Sequence, residues 1–229
     1  MLEQLRAEVL EANLEVVRRG LVLYTFGNAS GIDRAGGLVV IKPSGVPYAT
    51  LTTADLVVYD LEGNAVEGSL RPSSDLPTHL VLYRAFPAIG GVVHTHSRAA
   101  TAWAQAGREI PCFGTTHADY FYGPVPVTAP LTEEEVRGKY EENTGNAIVR
   151  RFEGTDPLDR PGVLVAGHAP FTWGATAGDA ARTAVILEEI AALAWRTVAL
   201  NPDCQGIGRH VLDKHFRRKQ GPGAYYGQT

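Results

Sequence analysis

Residues 91–97 read Gly-Val-Val-His-Thr-His-Ser, a short apolar run that leads into two histidines. The β-branched Val92 and Val93 predict a strand, and the small residues at 97–106 predict a helix after it. Because side chains alternate between the two faces of a strand, His94 and His96 are expected on one face, where two metal ligands would lie. An isolated His-x-His can equally be a pair of ordinary hydrogen-bonded histidines, so a metal site needs further ligands elsewhere in the chain.

The segments on either side of this strand predict a mixture of helices and strands. Apolar spacing and capping residues predict helices at 2–20, 73–86, 97–106, 132–152, 177–200 and 207–219. Short β-branched runs predict strands at 38–41, 56–59, 65–67, 91–96, 125–127 and 162–165, the first three as an antiparallel meander. Because these strands do not alternate regularly with helices, the pattern favours an α/β sandwich over a Rossmann or barrel fold.

The composition restricts the class of protein. The chain has 229 residues, 45% of them hydrophobic and 20% charged, with a formal net charge of −4. These values predict one soluble domain over residues 1–229. The acidic balance argues against nucleic acid and anionic lipid as partners, and no apolar run reaches the roughly 18 residues of a membrane span. Two cysteines and the absence of a secretory pattern at the start predict a cytoplasmic location.

A third histidine and a carboxylate extend the candidate metal site. His168 follows the strand predicted at 162–165, and Asp75 stands where a helix is predicted to begin. Three imidazoles and one carboxylate suit a borderline divalent ion such as zinc, and manganese or cobalt also fits a histidine-rich site.

Three glycine- or serine-containing segments are suited to an anion. Gly27-Asn28 follows the first helix, Lys42-Pro43-Ser44-Gly45 ends a strand, and Ser73-Ser74 precedes a helix whose free N–H groups and dipole favour phosphate. Each segment alone is more typical of a turn or a helix cap. Only their joint placement beside the metal would form a site for a phosphorylated sugar.

Six motifs taken together resemble a known family. They are Gly27-Asn28, Lys42-Pro43-Ser44-Gly45, Pro72-Ser73-Ser74-Asp75, His94-Thr95-His96-Ser97, Thr115-Thr116-His117-Ala118-Asp119-Tyr120 and Ala224-Tyr225-Tyr226-Gly227-Gln228. Their order resembles the class II sugar-phosphate aldolase/epimerase family, and within it the L-ribulose-5-phosphate 4-epimerases, over essentially the whole chain. The two histidine elements are common to that superfamily, whereas the motifs with Asp75 and Asp119 are more particular to the epimerases.

The resemblance implies a three-layer α/β/α sandwich with a mainly antiparallel central sheet, assembled as a cyclic homotetramer with active sites between subunits. It implies metal ligands at Asp75, His94, His96 and His168. It implies phosphate and substrate contacts at Gly27, Asn28, Lys42, Ser44, Gly45, Ser73 and Ser74. It also implies acid/base roles for Asp119 and for Tyr226, which the tail at 220–229 would supply to an adjacent subunit. Weaker candidates for supporting roles, which ordinary packing also explains, are Thr115, His117, Glu141, His215 and Arg218.

The activity implied is the interconversion of L-ribulose 5-phosphate and D-xylulose 5-phosphate. C4 lies β to the C2 ketone, so its proton is not acidic enough for simple enolisation. The family instead breaks the C3–C4 bond by a retro-aldol step and re-forms it after the aldehyde has turned. Zinc would offset the charge on the enolate as a Lewis acid. The pathway, whether use of L-arabinose or of L-ascorbate, stays open.

Two other functions remain open at this point. The first is a class II aldolase acting on L-fuculose or L-rhamnulose 1-phosphate, in which the family carries a glutamate as base at the position of Asp75. The shorter aspartate disfavours this activity. The second is a non-catalytic interaction domain like the head of adducin, which the retention of the metal-type and acid/base residues disfavours.

Overall fold

The computed structural model describes residues 2–220 and 224–226 and contains a seven-stranded sheet. Its strands are β1 (Asn28–Asp33), β2 (Leu38–Ile41), β3 (Val57–Asp60), β4 (Ala65–Glu67), β5 (Gly91–His94), β6 (Gly162–Leu164) and β7 (Pro170–Gly174). The spatial order is β4-β3-β2-β1-β5-β7-β6, and every neighbouring pair is antiparallel. The predicted meander is therefore confirmed as β2, β3 and β4.

The helices of the described residues are α1 (Glu3–Arg18), α2 (Leu76–Ala85), α3 (Arg98–Gln105), α4 (Thr115–Ala118), α5 (Glu133–Arg137), α6 (Tyr140–Arg151), α7 (Ala177–Leu200) and α8 (Arg209–Lys219). The helix predicted over 132–152 is divided in two, because the backbone of Gly138 leaves the helical conformation (φ −86°, ψ −129°). In this part of the chain, no helix has both the length and the apolar character needed to cross a bilayer.

The helices cover both faces of the sheet, which confirms the predicted three-layer α/β/α sandwich. Because side chains alternate along a strand, neighbouring residues of β2 enter different cores: Val39 packs with α2 and α6, and Val40 with α1 and α7. The same division separates Val92 from Val93 on β5. The middle residues of β2 and β5 are thus apolar on both faces, and the polar His94 lies at the end of β5.

Two strands at the centre of the sheet were not predicted. Gly27-Asn28 is typical of a turn by residue type, and no strand is predicted at 29–33 or 170–174, yet residues 28–33 and 170–174 form β1 and β7 on either side of β5. The prediction of a strand at 125–127 was wrong, since Val125 and Val127 make only isolated bridges. Pairing with neighbours, rather than local propensity, decides these segments.

Gly91 brings α7 close to the strand that carries the histidine pair. A Cβ atom added to Gly91 would lie 2.4 Å from the Cα of Ala177 at the start of α7. This contact fixes one end of β5 against the helix layer, and His94 stands at the other end, beside Phe171 of β7. The strand that was predicted to run to residue 96 ends at His94, so His96 lies just beyond it.

Candidate metal centre and anion pocket

Three histidines from two separate segments meet where β5 ends and β7 begins. His94 ends β5, His96 follows it, and His168 lies in the turn between β6 and β7. One nitrogen from each ring lies within 4.8 Å of the other two, and the Nε2 atoms of His94 and His96 are 3.1 Å apart. Pairing of β5 with β7 places His94 opposite Phe171, and this register brings the distant His168 into the group.

The orientation of His94 is fixed by its surroundings. Its Nδ1–H donates to the carbonyl of Pro170 at 2.9 Å, and its ring stacks on Phe171 at 4.2 Å between centroids. With the proton held at Nδ1, the lone pair of Nε2 faces His96. A hydrogen bond of this type commonly orients a metal-binding histidine.

The other two rings are also suited to act as neutral ligands. Burial, followed by the proximity of His94 and His96, lowers the pKa of His168 to about 4. Burial and the neighbouring His94 likewise lower the pKa of His96. Both rings are therefore uncharged at neutral pH, with a lone pair available for a cation.

The donor set fits a divalent metal ion. Zinc–nitrogen distances of about 2.0–2.1 Å in a tetrahedral site require ligand nitrogens roughly 3.3 Å apart. The three imidazole nitrogens, all within 4.8 Å of one another, need only small shifts to reach that separation. Soft cysteine ligands are absent from this cluster, so the site suits the borderline metals that imidazole prefers.

Asp75 lies in the same cavity but outside the three-histidine group. Its Oδ2 accepts a 2.6 Å hydrogen bond from the side-chain amide of Asn28, and that amide also donates to the hydroxyl of Ser73 at 2.9 Å. Burial alone would raise the pKa of Asp75, but the imidazoles of His94 and His79 and the Asn28 amide outweigh it, and the pKa lies below its usual value. The carboxylate is therefore ionised and held against the wall of the cavity.

A polar cavity of about 430 Å³ joins the histidines to the glycine- and serine-containing segments. It is lined by Thr25, Phe26, Gly27, Asn28, Lys42, Pro43, Ser44, Gly45, Ser73, Ser74, Asp75, His94, His96, Tyr140, Glu141 and His168. All seven residues expected to contact phosphate or substrate thus line one cavity with the four expected metal ligands.

Lys42 supplies the cationic group of this cavity. The residue is 1% exposed, its Nζ lies 3.2 Å from the carbonyl of Pro43, and it stands 4.6 Å from the centre of the Tyr48 ring. Burial lowers the pKa of Lys42 to about 8. Within the described residues Lys42 forms no ion pair, so its charge remains available to an anion.

The backbone of the serine segments contributes less to anion binding than the sequence suggests. The N–H of Ser44 donates to the carbonyl of Arg71 at 2.9 Å, and the N–H of Ser73 donates to the carbonyl of Lys42 at 3.0 Å. These two amides join the segments to each other. The free N–H groups expected before the helix are therefore not found at these two residues. The amides of Ser44 and Ser73 are therefore not available to an anion, whereas the ammonium of Lys42 is.

Asp119 belongs to a second polar cluster, away from the cavity lining. Arg218 of α8 forms two hydrogen bonds with its carboxylate, of 3.0 and 2.7 Å, and His215 Nδ1 lies 3.0 Å from it. Burial would raise the pKa of Asp119, but the bonds from Arg218 and His215, with the charge of Lys219, keep it below its usual value. The carboxylate is ionised and fixed by α8.

Tyr226 is held at the same cluster by the end of α8. Its backbone N–H donates to the carbonyl of Arg218 at 3.0 Å, and its ring lies 4.7 Å from both the Arg218 guanidinium and the Lys219 ammonium. The side chain is 60% exposed. Neither Asp119 nor Tyr226 lines the cavity of its own chain. The predicted tail residues Gly227 and Gln228 lie outside the described residues.

The remaining candidates fall in different places, and one lining residue was missed. Glu141 lines the cavity, Thr115 is exposed at the start of α4, and buried His117 bonds through Nε2 to the carbonyl of Gly123 at 2.8 Å. Tyr140 was not predicted, although it lines the cavity with its hydroxyl 3.5 Å from His168 Nδ1. Its position beside Glu141 at the start of a helix was the available signal.

The fold carries one cavity that joins a group of three histidines to a buried lysine and several serines. Residues 7–195 match the model of the Class II Aldolase and Adducin N-terminal domain family. The chain belongs to this family. The family's metal-dependent members use a divalent ion, and the histidine group provides a place for one.

Solved structures with the same fold include named aldolases. An L-fuculose 1-phosphate aldolase is 24% identical, with a TM-score of 0.79 over 93% of this chain and 94% of that one. YgbL, a putative aldolase/epimerase/decarboxylase from Klebsiella pneumoniae, is 24% identical, with a TM-score of 0.71 over 93% and 97%. The L-fuculose-1-phosphate aldolase from Thermus thermophilus is 25% identical, with a TM-score of 0.69 over 88% and 99%. These likenesses support the fold described above.

Proposed function

We propose that the protein is a metal-dependent epimerase that interconverts L-ribulose 5-phosphate and D-xylulose 5-phosphate. The state of Asp75 is the observation that carries this proposal. An aldolase that releases dihydroxyacetone phosphate needs a base that reaches the dihydroxyacetone unit. The short Asp75 carboxylate is instead held against the cavity wall by the side-chain amide of Asn28 at 2.6 Å, out of reach of such a role.

His94, His96 and His168 would hold the metal, and Asp75, which lines the same cavity, is the proposed fourth ligand. Zinc is the ion proposed, with manganese or cobalt as substitutes. When bound, the ion supplies Lewis-acid stabilisation of the negative charge that develops on the ketone oxygen. The chain's own part is to keep the His94 ring oriented through Pro170 and to keep the rings of His96 and His168 neutral.

The phosphate of the substrate would lie against Lys42 and the hydroxyls of Ser44, Ser73 and Ser74, with Gly27, Asn28 and Gly45 allowing close approach. These groups share one cavity with the histidines, which supports a single ligand that spans both. Fixing the phosphate leaves the aldehyde carbon free to turn about its bond to C5. The pocket therefore fits a reaction in which one end of the substrate is held while C4 inverts.

Asp119 and Tyr226 would serve as the acid/base pair, and both would come from the neighbouring subunit. In one chain Arg218 binds the Asp119 carboxylate and the Tyr226 backbone, so a neighbour that presents one residue presents the other as well. Their absence from the cavity of their own chain supports a cyclic homotetramer with shared sites.

Each proton transfer can then be assigned to a residue of the chain. One of the pair removes the proton of the C4 hydroxyl as the C3–C4 bond breaks, giving the enolate of dihydroxyacetone and glycolaldehyde phosphate. After the aldehyde turns and the bond re-forms, the other returns a proton to the C4 oxygen on the opposite side. The phenol hydroxyl of Tyr226 can act as the proton donor.

An aldolase acting on L-fuculose 1-phosphate is the second candidate, because three solved structures of the same fold carry that name. The metal-loaded protein should convert L-ribulose 5-phosphate to D-xylulose 5-phosphate in a coupled assay, and this activity should disappear on chelation. Release of dihydroxyacetone phosphate from L-fuculose 1-phosphate, without epimerisation of L-ribulose 5-phosphate, would reverse the assignment.

Turnover of the phosphorylated substrate should decline on the alkaline side. Burial lowers the pKa of Lys42 to about 8, so the ammonium loses its charge, and with it the attraction for phosphate, above that pH. Because kcat/KM reports ionisations of the free enzyme, its value should fall about tenfold per pH unit above pH 8. Lys42→Met should have a much lower kcat/KM, and that value should not fall further above pH 8. A wild-type profile that stays flat to pH 9.5 would contradict the role of Lys42.

A further inference from the structure

We propose that Tyr48 is the positioning residue of the anion pocket, an inference that rests on the proposed phosphate role of this cavity. Tyr48 does not line the cavity, yet it contacts two parts of the wall that do. Its hydroxyl donates to the carbonyl of Gly27 at 2.8 Å, and its ring lies under the ammonium of Lys42. One buried side chain thereby sets the separation between the Gly27 segment and the cation.

The Gly27 segment needs this support because its backbone conformation is unusual and its surroundings are close. Gly27 has a φ of +78°, and an added Cβ would lie 2.9 Å from both the carbonyl oxygen of His94 and a methyl of Val22. The chain enters β1 one residue later, where Asn28 pairs with His94. The Tyr48 hydroxyl is also 3.1 Å from the carbonyl of Phe26, so it holds two successive peptides of this turn.

The ring of Tyr48 supplies what the buried ammonium of Lys42 otherwise lacks. Within the described residues no carboxylate pairs with Lys42, and its hydrogen bond is to the carbonyl of Pro43. An ammonium has three donors, so others remain for a ligand. The face of an aromatic ring attracts a cation without occupying those donors, and the 4.6 Å separation is within the range of this interaction.

Tyr48 is itself firmly held, as a positioning residue must be. It is 6% exposed and packs in the core formed by α1, α7 and strands β1 to β3. Burial raises the pKa of its hydroxyl, so the group stays protonated and can donate to the Gly27 carbonyl. The hydroxyl and the ring have separate functions in this arrangement, and two substitutions can separate them.

Tyr48→Phe keeps the ring under Lys42 and removes the bond to Gly27, so affinity for inorganic phosphate should fall about 5- to 10-fold. Tyr48→Leu also removes the ring, and the loss should reach about 30- to 100-fold. Titration calorimetry of the metal-loaded full chain with inorganic phosphate measures both. Tyr24→Phe is the matched control, because it removes an exposed tyrosine hydroxyl three residues before Gly27 and should leave the affinity unchanged.

A second measurement separates positioning from general damage to the fold. Zinc affinity, read by competition with a chromophoric chelator, should be unchanged in both Tyr48 variants, because the side-chain interactions of Tyr48 in the described residues are with Phe26, Gly27 and Lys42 and not with the three histidines. Equal loss of zinc and phosphate affinity would indicate a structural role only and overturn the proposal. Phosphate binding by Tyr48→Leu at wild-type strength, or no phosphate binding by the wild type, would overturn it as well.

The phosphate measurement is also independent of the proposed reaction. One outcome is that phosphate affinity falls from the wild type to Tyr48→Phe and further to Tyr48→Leu in a protein that does not convert L-ribulose 5-phosphate. In that case the positioning role of Tyr48 stands and the epimerase assignment fails. If the epimerase is active, KM should rise in the same order as the phosphate dissociation constants, and kcat should change less than KM.

Discussion

His96→Ala is expected to abolish zinc binding and to lower the rate of the proposed epimerase reaction by about 1,000-fold or more while remaining folded. His96 lies beyond β5 and is exposed, so its removal leaves no cavity in the core. Its Nε2 is nevertheless 3.1 Å from that of His94, within the three-histidine group. Loss of even an outer-shell partner typically costs 10- to 100-fold in metal affinity, and a direct ligand should cost more.

The measurement is the metal content after dialysis, together with chelator competition and the coupled epimerase assay. His210→Ala is the matched control, because His210 is an exposed histidine of α8 outside the metal group and should keep full zinc and activity. An equimolar zinc content in His96→Ala would contradict the assigned site. A wild-type protein that takes up no divalent ion and has no activity would favour a non-catalytic role like that of the adducin head.

The sequence predicted the layers of this fold better than the centre of its sheet. α7 and α1 have strong apolar periodicity, so their extents were largely anticipated. β1 contains Ser30, Gly31 and Asp33, which have low β-propensity, and it is a strand because β2 and β5 pair with it on both sides. Such pairing is a property of the assembled sheet and leaves no periodic signal in the segment.

The candidate site was predictable by residue type and only partly by geometry. His94 and His96 were expected together from their spacing, but the approach of His168 depends on the register of β5 with β7, a strand that was not predicted. The contact between Asp119 and Arg218 joins residues 99 positions apart, beyond the reach of any local pattern. Tyr48 gave no signal, because its function depends on two neighbours that only the fold brings to it.

Tyr226→Phe is expected to lower the epimerase kcat by about 100- to 10,000-fold, the range for removal of an acid/base group. The phenyl ring keeps its contacts with Arg218 and Lys219, and the backbone bond to Arg218 is unaffected, so the tail should stay in place. Zinc and phosphate affinity should not change. Tyr225→Phe is the matched control, because it removes a neighbouring exposed hydroxyl, beside Lys214, that has no proposed role.

Mixing two inactive variants tests whether Tyr226 acts in a neighbouring subunit. Subunits with Tyr226→Phe keep an intact metal site, and subunits with His96→Ala keep an intact tail. When the two are dissociated and reassembled at equal amounts, about a quarter of the interfaces in a cyclic tetramer should combine an intact metal site with an intact neighbouring tail. Activity should therefore return to about a quarter of the wild-type value. Each chain of the unmixed variants lacks one of the two groups, so recovery requires that the site be shared, and a mixture that stays inactive would show that Tyr226 does not serve a neighbour.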